Sequence, residues 1–346
     1  MNRLTERQKL ILALVIREFV DSTQPIGSKK LVDMYNLDFS SATVRNEMAA
    51  LTDAGYLQQP HTSAGRIPTE DGYRFFVSQL MGKTILPEQV QRTIQHQFYQ
   101  ARYDFDQWMR LAASILARQS QAASLVTSLH PEHARLKHLE LIATRGRQVL
   151  MVLVFEGGEV NQQMLALAEP VSQERLSQVS SWLNSTAQGK DSSYISQLLI
   201  EQSDDTLEQD IVRLITEEMQ LSDKLLAGEI YRDGISNVLA EPEFSEPGVA
   251  HRALRFWEQR GHLEDLLSQT VMRPSSGDVH VLIGGEGTWE DLSECSVVLS
   301  RYGIPGVAMG ALGVLGPTRM PYANTISTVR YVAGLLSELV GDTFSE

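Results

Sequence analysis

An arginine followed by an asparagine, Arg45-Asn46, stands in the run Ser-Ala-Thr-Val-Arg-Asn-Glu-Met-Ala, residues 41–49. Both side chains end in two-pronged hydrogen-bonding groups that match base edges. A guanidinium donates to guanine O6 and N7, and a carboxamide pairs with adenine N6 and N7. Val44, Met48 and Leu51 recur at i, i+4 and i+7, the spacing of a stripe that a helix buries. With that stripe turned inward, Ala42, Arg45, Asn46 and Ala49 lie on the opposite side, where small residues let a helix sink into a major groove. The pattern therefore assigns base readout to Arg45 and Asn46, flanked by Ala42 and Ala49. Thr43, near the helix start where backbone N–H groups lack partners, suits a phosphate oxygen. Lys29, Lys30 and Arg66 are placed to hold the nucleic-acid backbone. An exposed Arg-Asn pair also occurs on helices that are merely solvated, so the surrounding elements must decide.

Those elements are legible. Residues 5–20 place Ile11, Leu12, Val15 and Phe19 on one helical face. Pro25 and Gly27 break the chain, and Ser28 is expected to cap a short helix, SKKLVDMY, with Leu31, Val32 and Tyr35 apolar. Asn36 to Ser41 form a turn. A third helix, about 41–54, starts at a Ser-Ser cap and ends at Gly55. YLQQPHTSAGRIPT reads as two short strands around a polar tip, Thr62-Ser63-Ala64-Gly65, with Arg66 at the end of the tip. Thr69 caps a further helix whose first turn holds Glu70 and Asp71, where acidic side chains suit the helix dipole. Helix, helix, turn, helix and hairpin in about 70 residues suit a winged helix-turn-helix, expected as a DNA-binding domain over residues 1–80, although three short helices also occur in domains that bind no DNA.

Beyond Pro87 the periodicity predicts a long helical stretch, about 88–125. Strands follow at LELIAT, VLMVLVF and NQQMLALA, separated by Arg145-Gly146 and Gly157-Gly158. Residues 172–184 read as a helix, and 190–245 is acidic and helix-rich. Helices and strands return in HRALRFWEQRGHLEDLLSQ, VHVLIGG and CSVVLSRYG, before a Gly-rich segment and a final helix, 323–340. Strands on both sides of the acidic stretch imply one α+β domain, 88–185 and 247–346, carrying an insertion at 186–246. Within the insertion a helix over 206–226 sets Leu207, Ile211, Leu214, Ile215 and Met219 on one side, against Glu208, Asp210, Glu217 and Glu218. This stripe is assigned to a dimer interface; docking on its own domain is the competing reading.

Composition excludes several classes. The charge is −13, but residues 1–80 hold nine Lys or Arg and nine Asp or Glu, so the whole excess is acidic and lies beyond residue 80. Only the N-terminal segment would not repel DNA on average. A single cysteine, Cys295, permits no disulfide framework. The first residues lack the pattern of a signal peptide, and no apolar run reaches the length of a membrane span, so a cytoplasmic location is expected. GIPGVAMGALGVLGPTR, residues 303–319, has neither a Walker ending nor a GxGxxG that opens a helix, and reads as tight β-turns near a surface. His130 and His133 in HPEH have a possible metal spacing but no cysteine or HExxH context, so they read as loop histidines. Cys295 reads as a buried inert thiol. No catalytic residue, metal site or cofactor is expected, and the chain is read as a non-enzyme.

FVDSTQPIGSKKL, then SSATVRNEMAALTDAGYLQQPHTSAGRIPTEDGYRFFV, closely resembles the N-terminal module of the HrcA family of heat-inducible transcription repressors. GVLGPTRMPYANTISTVRYVA, residues 313–333, resembles the end segment of that family. The resemblance spans essentially the whole chain and rests on position alone across 190–240. It implies a winged-helix domain, a GAF-like domain and an inserted dimerising domain. It implies a homodimer on an inverted-repeat double-stranded DNA operator, CIRCE, upstream of chaperone operons, and it implies the GroEL chaperonin as a partner that keeps the repressor active. A rival reading makes the chain a metabolite-responsive regulator, with a small effector bound in the C-terminal α+β domain. An enzyme using the Gly-rich segment as a phosphate loop comes third.

Overall fold

The computed structural model describes residues 4–82, 84–101, 104–131, 134–156, 158, 160–201, 207–224, 229–270, 279–305 and 307–345. Helices and antiparallel sheets mix in two compact units. The first comprises Met1–Ser128, Ile230–Tyr302 and Ala311–Thr343; the second comprises Leu129–Glu229 with Gly303–Gly310 and Phe344–Glu346. The α+β class expected from the sequence holds.

The first unit opens with α1 (Glu6–Ser22), started by a reciprocal cap: the Thr5 hydroxyl accepts from the Gln8 amide and the Gln8 carboxamide oxygen accepts from the Thr5 amide. Ile11, Leu12, Val15 and Ile16 are buried, and Phe19 is half-buried. Next come α2 (Ser28–Tyr35), α3 (Ser41–Asp53), β1 (Leu57–Gln58), β2 (Ile67–Pro68) and α4 (Glu70–Phe75), which runs on into a π-helical turn, Phe76–Leu80. Ser28 does not cap α2. Gly27 holds the cap position without a side-chain bond, and Ser28 is buried as the first helical residue. The paired backbones of Ile26 and Arg66 fix where the chain turns into this helix. Thr69 caps α4 as expected, accepting from the Gly72 amide at 3.1 Å and donating to the Gly55 carbonyl at 2.6 Å.

The long helix expected over 88–125 is two helices and a strand: α5 (Glu88–Gln100), α6 (Phe105–Ser120) and β3 (Ala123–Thr127). Asp104 starts α6 by accepting from the Asp106 and Gln107 amides. Every residue of β3 is buried, because the strand lies inside a sheet and not on a helix. After β4 (His130–Pro131) come β5 (Leu136–Ala143), β6 (Gln148–Phe155), β7 (Val160–Ala166), α7 (Gln173–Ala187), α8 (Ser192–Glu201) and α9 (Leu207–Lys224). Then follow β8 (Ile230–Asp233), α10 (Ile235–Leu239), α11 (Pro247–Glu258), α12 (Arg260–Thr270), β9 (His280–Ile283), β10 (Cys295–Ile304), β11 (Ala308–Pro317) and α13 (Tyr322–Ser345). The main sheet runs in the order β8-β3-β11-β10-β9.

The Gly-rich segment expected to form surface turns is largely β11, a strand buried at all ten positions. Its glycines serve close packing. A Cβ on Gly313 would meet the Val298 carbonyl oxygen and lie 3.0 Å from the Leu299 Cα of the neighbouring strand.

The second unit is an antiparallel meander, β5-β6-β7, with helices over one face. Leu139, Leu141, Met151, Leu153 and Phe155 of the sheet share one core with Leu176, Val179 and Leu183 of α7 and with Ile211, Ile215 and Met219 of α9. The insertion therefore runs over 129–229 and not over 186–246. Neither the sheet nor the helices could bury an apolar face without the other, while β8 belongs to the main sheet through its pairing with β3. The same core corrects the dimer stripe. Ile211, Ile215 and Met219 are 0% exposed, and Leu207 and Leu214 pack against them, so the stripe docks within its own unit. Gly157 and His133 lie outside the described residues, so the Gly157-Gly158 turn and the HPEH pair are not described as expected.

Candidate nucleic-acid interface

Ser40 starts α3. Its hydroxyl oxygen accepts from the Thr43 amide at 3.1 Å and lies 2.9 Å from the Thr43 hydroxyl. Thr43 is thus tied into the cap, half-buried, at the place where the first amides of the helix remain unpaired. Val44 and Leu51 are fully buried and Met48 nearly so. On the other side Ala42, Arg45 and Asn46 are exposed and Ala49 is half-buried. Among the described residues neither Arg45 nor Asn46 makes a side-chain hydrogen bond or ion pair. Their polar ends face solvent from a helix whose position is fixed by its other face.

Lys29 is exposed at the start of α2. Lys30, also exposed, lies 3.7 Å from the Glu18 carboxylate, which in turn accepts from the Tyr35 hydroxyl at 2.7 Å. Glu18 is 9% exposed, and its hydrogen bond, with burial second, raises the Tyr35 phenol to about 12. Glu18 therefore joins α1 to both ends of α2, and Lys30 is partly committed to that join.

The hairpin differs from expectation at Arg66. The tip is His61 to Ala64, braced by the Gln59 carboxamide, which donates to the Thr62 and Ala64 carbonyls at 2.9 and 3.0 Å. Arg66 lies past the tip, half-buried. Its amide donates to the Ile26 carbonyl at 2.8 Å, and its carbonyl accepts from the Ile26 amide at 2.9 Å. Its Nε donates to the Thr52 hydroxyl at 2.9 Å, near the end of α3. β1 and β2 pair only through Leu57 with Pro68 and Gln58 with Ile67. The bridge to Ile26 adds two backbone hydrogen bonds and sets the hairpin beside α2. Gln59 and this bridge are not legible in the sequence, because the bridged residues lie some forty positions apart and leave no periodic signal.

Polar contacts also fasten this segment within the first unit. Arg74 of α4 pairs with Glu70 and Asp71, each at 2.8 Å, and donates to the Ile283 carbonyl. Arg319 pairs with Glu241 and Glu243 and donates to the Val20 carbonyl at 3.4 Å. The Tyr73 and Tyr322 rings lie 5.9 Å apart.

Burial raises the Cys295 thiol to about 12, far from a reactive thiolate. Among the described residues no group of three or more His, Cys, Asp or Glu is arranged for a metal ion, and no helix is long and apolar enough to cross a membrane.

A family model described as the HrcA protein C terminal domain matches residues 106–326. The heat-inducible transcription repressor HrcA of Roseiflexus castenholzii is 44% identical, covering 99% of this chain and 96% of that protein. The protein of the same description from Chloroflexus aurantiacus is 42% identical, covering 99% of this chain and 95% of the other. Among solved structures, the crystal structure of a hypothetical protein at 2.2 Å resolution aligns with a TM-score of 0.58 at 21% identity, covering 99% of this chain and all of that one. That last likeness is one of fold.

Proposed function

The chain belongs to the HrcA family of heat-inducible transcription repressors, and from that premise we propose that its first 80 residues form a winged helix-turn-helix seating α3 in the major groove of an inverted-repeat CIRCE operator. The observation that carries the reading is the division of α3: a sealed stripe on one side, and on the other Arg45 and Asn46, solvent-facing and without side-chain partners among the described residues. Ala42 and Ala49 leave the backbone room to approach the bases. Lys29, Lys30 and the first amides of α3 hold phosphates, and the hairpin tip lies along the adjacent backbone. Repression is by occupancy, needs no chemistry, and takes place in the cytoplasm. The five-strand run β8-β3-β11-β10-β9 with its helices is the GAF-like framework.

Dimerisation goes to the open face of the second unit. Across β5-β6-β7, Ile142, Leu150 and Met164 form one row, Glu140, Val152 and Gln162 the next, and His138, Val154 and Val160 the third. This face lies opposite the helix-covered core, yet Ile142, Val160 and Met164 stand 41–55% exposed. A second copy of the same face fits it, since a two-fold interface must be self-complementary. A two-fold dimer then requires an inverted repeat. The GroEL chaperonin enters as the partner that returns unfolded repressor to the active form, so that its occupation by heat-damaged proteins lowers the active population.

The deciding experiment compares operator and scrambled duplexes. Arg45→Ala and Asn46→Ala should each lose about 1–3 kcal/mol of discrimination at one base position, with the fold intact. Unchanged discrimination in both would reject α3 as the reading helix.

A second reading, control by a small effector, has one observation in its favour. A groove of about 460 Å³ lies between residues 84–86, α5 and α13, lined by Leu86, Tyr331 and Leu335 with Arg330 and Glu338, a size that suits small ligands. A thermal-shift screen with common metabolites tests it: a reproducible shift at micromolar ligand supports effector control.

A further inference from the structure

α1 contributes a cation to the flank of α3. Arg7 Nη1 lies 3.3 Å from Glu47 Oε1, and its guanidinium carbon stands 4.9 Å from the centroid of the Phe39 ring. Glu47 stands one turn after Thr43 on the same side of α3, and Phe39 lies just before the Ser40 cap. The Arg7 side chain is 46% exposed although it has two partners, whereas that of Glu47 is only 20% exposed. On the other flank of α3, past Arg45, the Arg66 Nε is bonded to Thr52. Two guanidinium groups therefore bracket α3, each tethered through a side chain of α3 itself.

A helix in the major groove has a phosphate chain on either side of it, and contacts to those chains fix its register and tilt. We propose that Arg7 is a phosphate-contacting residue that positions α3, opposite Arg66, so that the two arginines clamp the two strands of the groove. This rests on α3 being the reading helix. A guanidinium offers five N–H donors in a rigid plane. Glu47 engages one edge of Arg7 and Phe39 covers a face, which leaves donors on the exposed side and removes much of the rotamer freedom that phosphate binding would otherwise cost. The acidic Glu47, out of place on a DNA-reading helix, is explained as the residue that aims Arg7. The surface of α1 beside α3 is thereby part of the interface and not only its scaffold.

The test is a salt titration of full-length protein on a duplex carrying the inverted repeat of its own chaperone promoter, and on a scrambled duplex. Each phosphate contact contributes about −0.9 to the slope of log K against log salt. Arg7→Gln should flatten the slope by about that amount per protomer and weaken both duplexes alike, while Arg7→Lys keeps most of the slope. Glu47→Gln should retain the slope. The double variant R7Q/E47Q separates a contact from simple neutralisation of Glu47. If it behaves like Arg7→Gln, the contact stands; if it regains the parent slope and affinity, Arg7 serves only to neutralise Glu47 and the proposal falls. Arg45→Ala run alongside keeps the two readings apart. Lost base discrimination there with an unchanged Arg7→Gln slope overturns the clamp alone. Unchanged discrimination removes the reading helix first.

Discussion

Gly65 lies directly against the backbone of Ile26. A Cβ at Gly65 would come within 2.7 Å of the Ile26 nitrogen and closer still to its carbonyl group. No side chain fits there, and neither neighbour is a flexible group that can yield. The close approach lets Ile26 and Arg66 exchange two hydrogen bonds and so sets the hairpin against the start of α2.

Gly65→Ala should therefore move the hairpin away from α2. Overpacking of this kind costs about 1–3 kcal/mol, which a folded domain of this size survives. The expected result is a modest loss of stability in urea with at least a tenfold loss of operator affinity by gel shift. Parent affinity in a folded variant would mean that the hairpin takes no part in binding.

Ile215→Ala should behave as a core variant. Ile215 is fully buried among α7, α9 and the meander, so truncation removes packing and leaves a cavity, at about 2–5 kcal/mol. Urea denaturation measures the loss. At temperatures where the variant stays folded its sedimentation should match the parent. A stable variant that dissociates into monomers would return α9 to the interface.

Val152→Glu should break the proposed dimer without unfolding the chain. Val152 is at the centre of the open face, between Glu140 and Gln162 on the two neighbouring strands. A carboxylate is hydrated there in a monomer but stranded between two sheets in a dimer. Monomers at micromolar concentration are expected in sedimentation, with half-site affinity retained and full-operator affinity reduced by about 10²–10⁴ through lost avidity. A Val152→Glu protein that remains dimeric would place the contact elsewhere.

The Tyr35–Glu18 bond predicts an alkaline limit. Accepting from the phenol, Glu18 favours the protonated form and raises Tyr35 from 10.0 to about 12. The folded protein then holds a proton that the unfolded chain releases, so stability falls as pH rises between those values. The contribution is complete below pH 10 and is lost as pH passes 12. Comparing Tyr35→Phe with the parent by urea denaturation from pH 8 to 11 isolates it from the other titrating groups of the chain. The difference should be constant to about pH 9.5 and shrink above it; a difference independent of pH would exclude this bond as the cause.

What the sequence discloses is what local spacing encodes. Ser40 and Thr69 cap their helices because the bonded amide is three residues away. Val44, Met48 and Leu51 are buried because a helix repeats. Partners distant in sequence are the ones that mislead. The α9 stripe is a true apolar face, but periodicity cannot say whether its partner is another chain or β6. The glycines of β11 look like turn residues until Val298 is seen to fill the space where a Cβ would stand. Asp104, a single capping residue, divides α5 from α6 without disturbing the apolar pattern on either side. Arg7 and Glu47 lie forty residues apart, and neither is conspicuous alone.

β3 and β8 are hydrogen-bonded neighbours, Thr127 paired with Ile230 and Ser124 with Asp233, although the whole inserted segment runs between them. The consequence is an order of folding. Contacts from α1 to β2 are short in sequence, and the β5-β6-β7 meander closes through brief turns, so both form early. Joining β3 to β8 must close a loop of about a hundred residues, and that entropy is not repaid until the long-range strands meet. A collapsed second unit shortens the effective loop, which makes the main sheet the last element to assemble. In pulse-labelled hydrogen exchange the amides of β3 and β8 should gain protection after those of α3 and β6. On this order a refolding chain would regain α3 while its central sheet is still open, and through that lag the strand edges of β3 and β8 would stand unpaired.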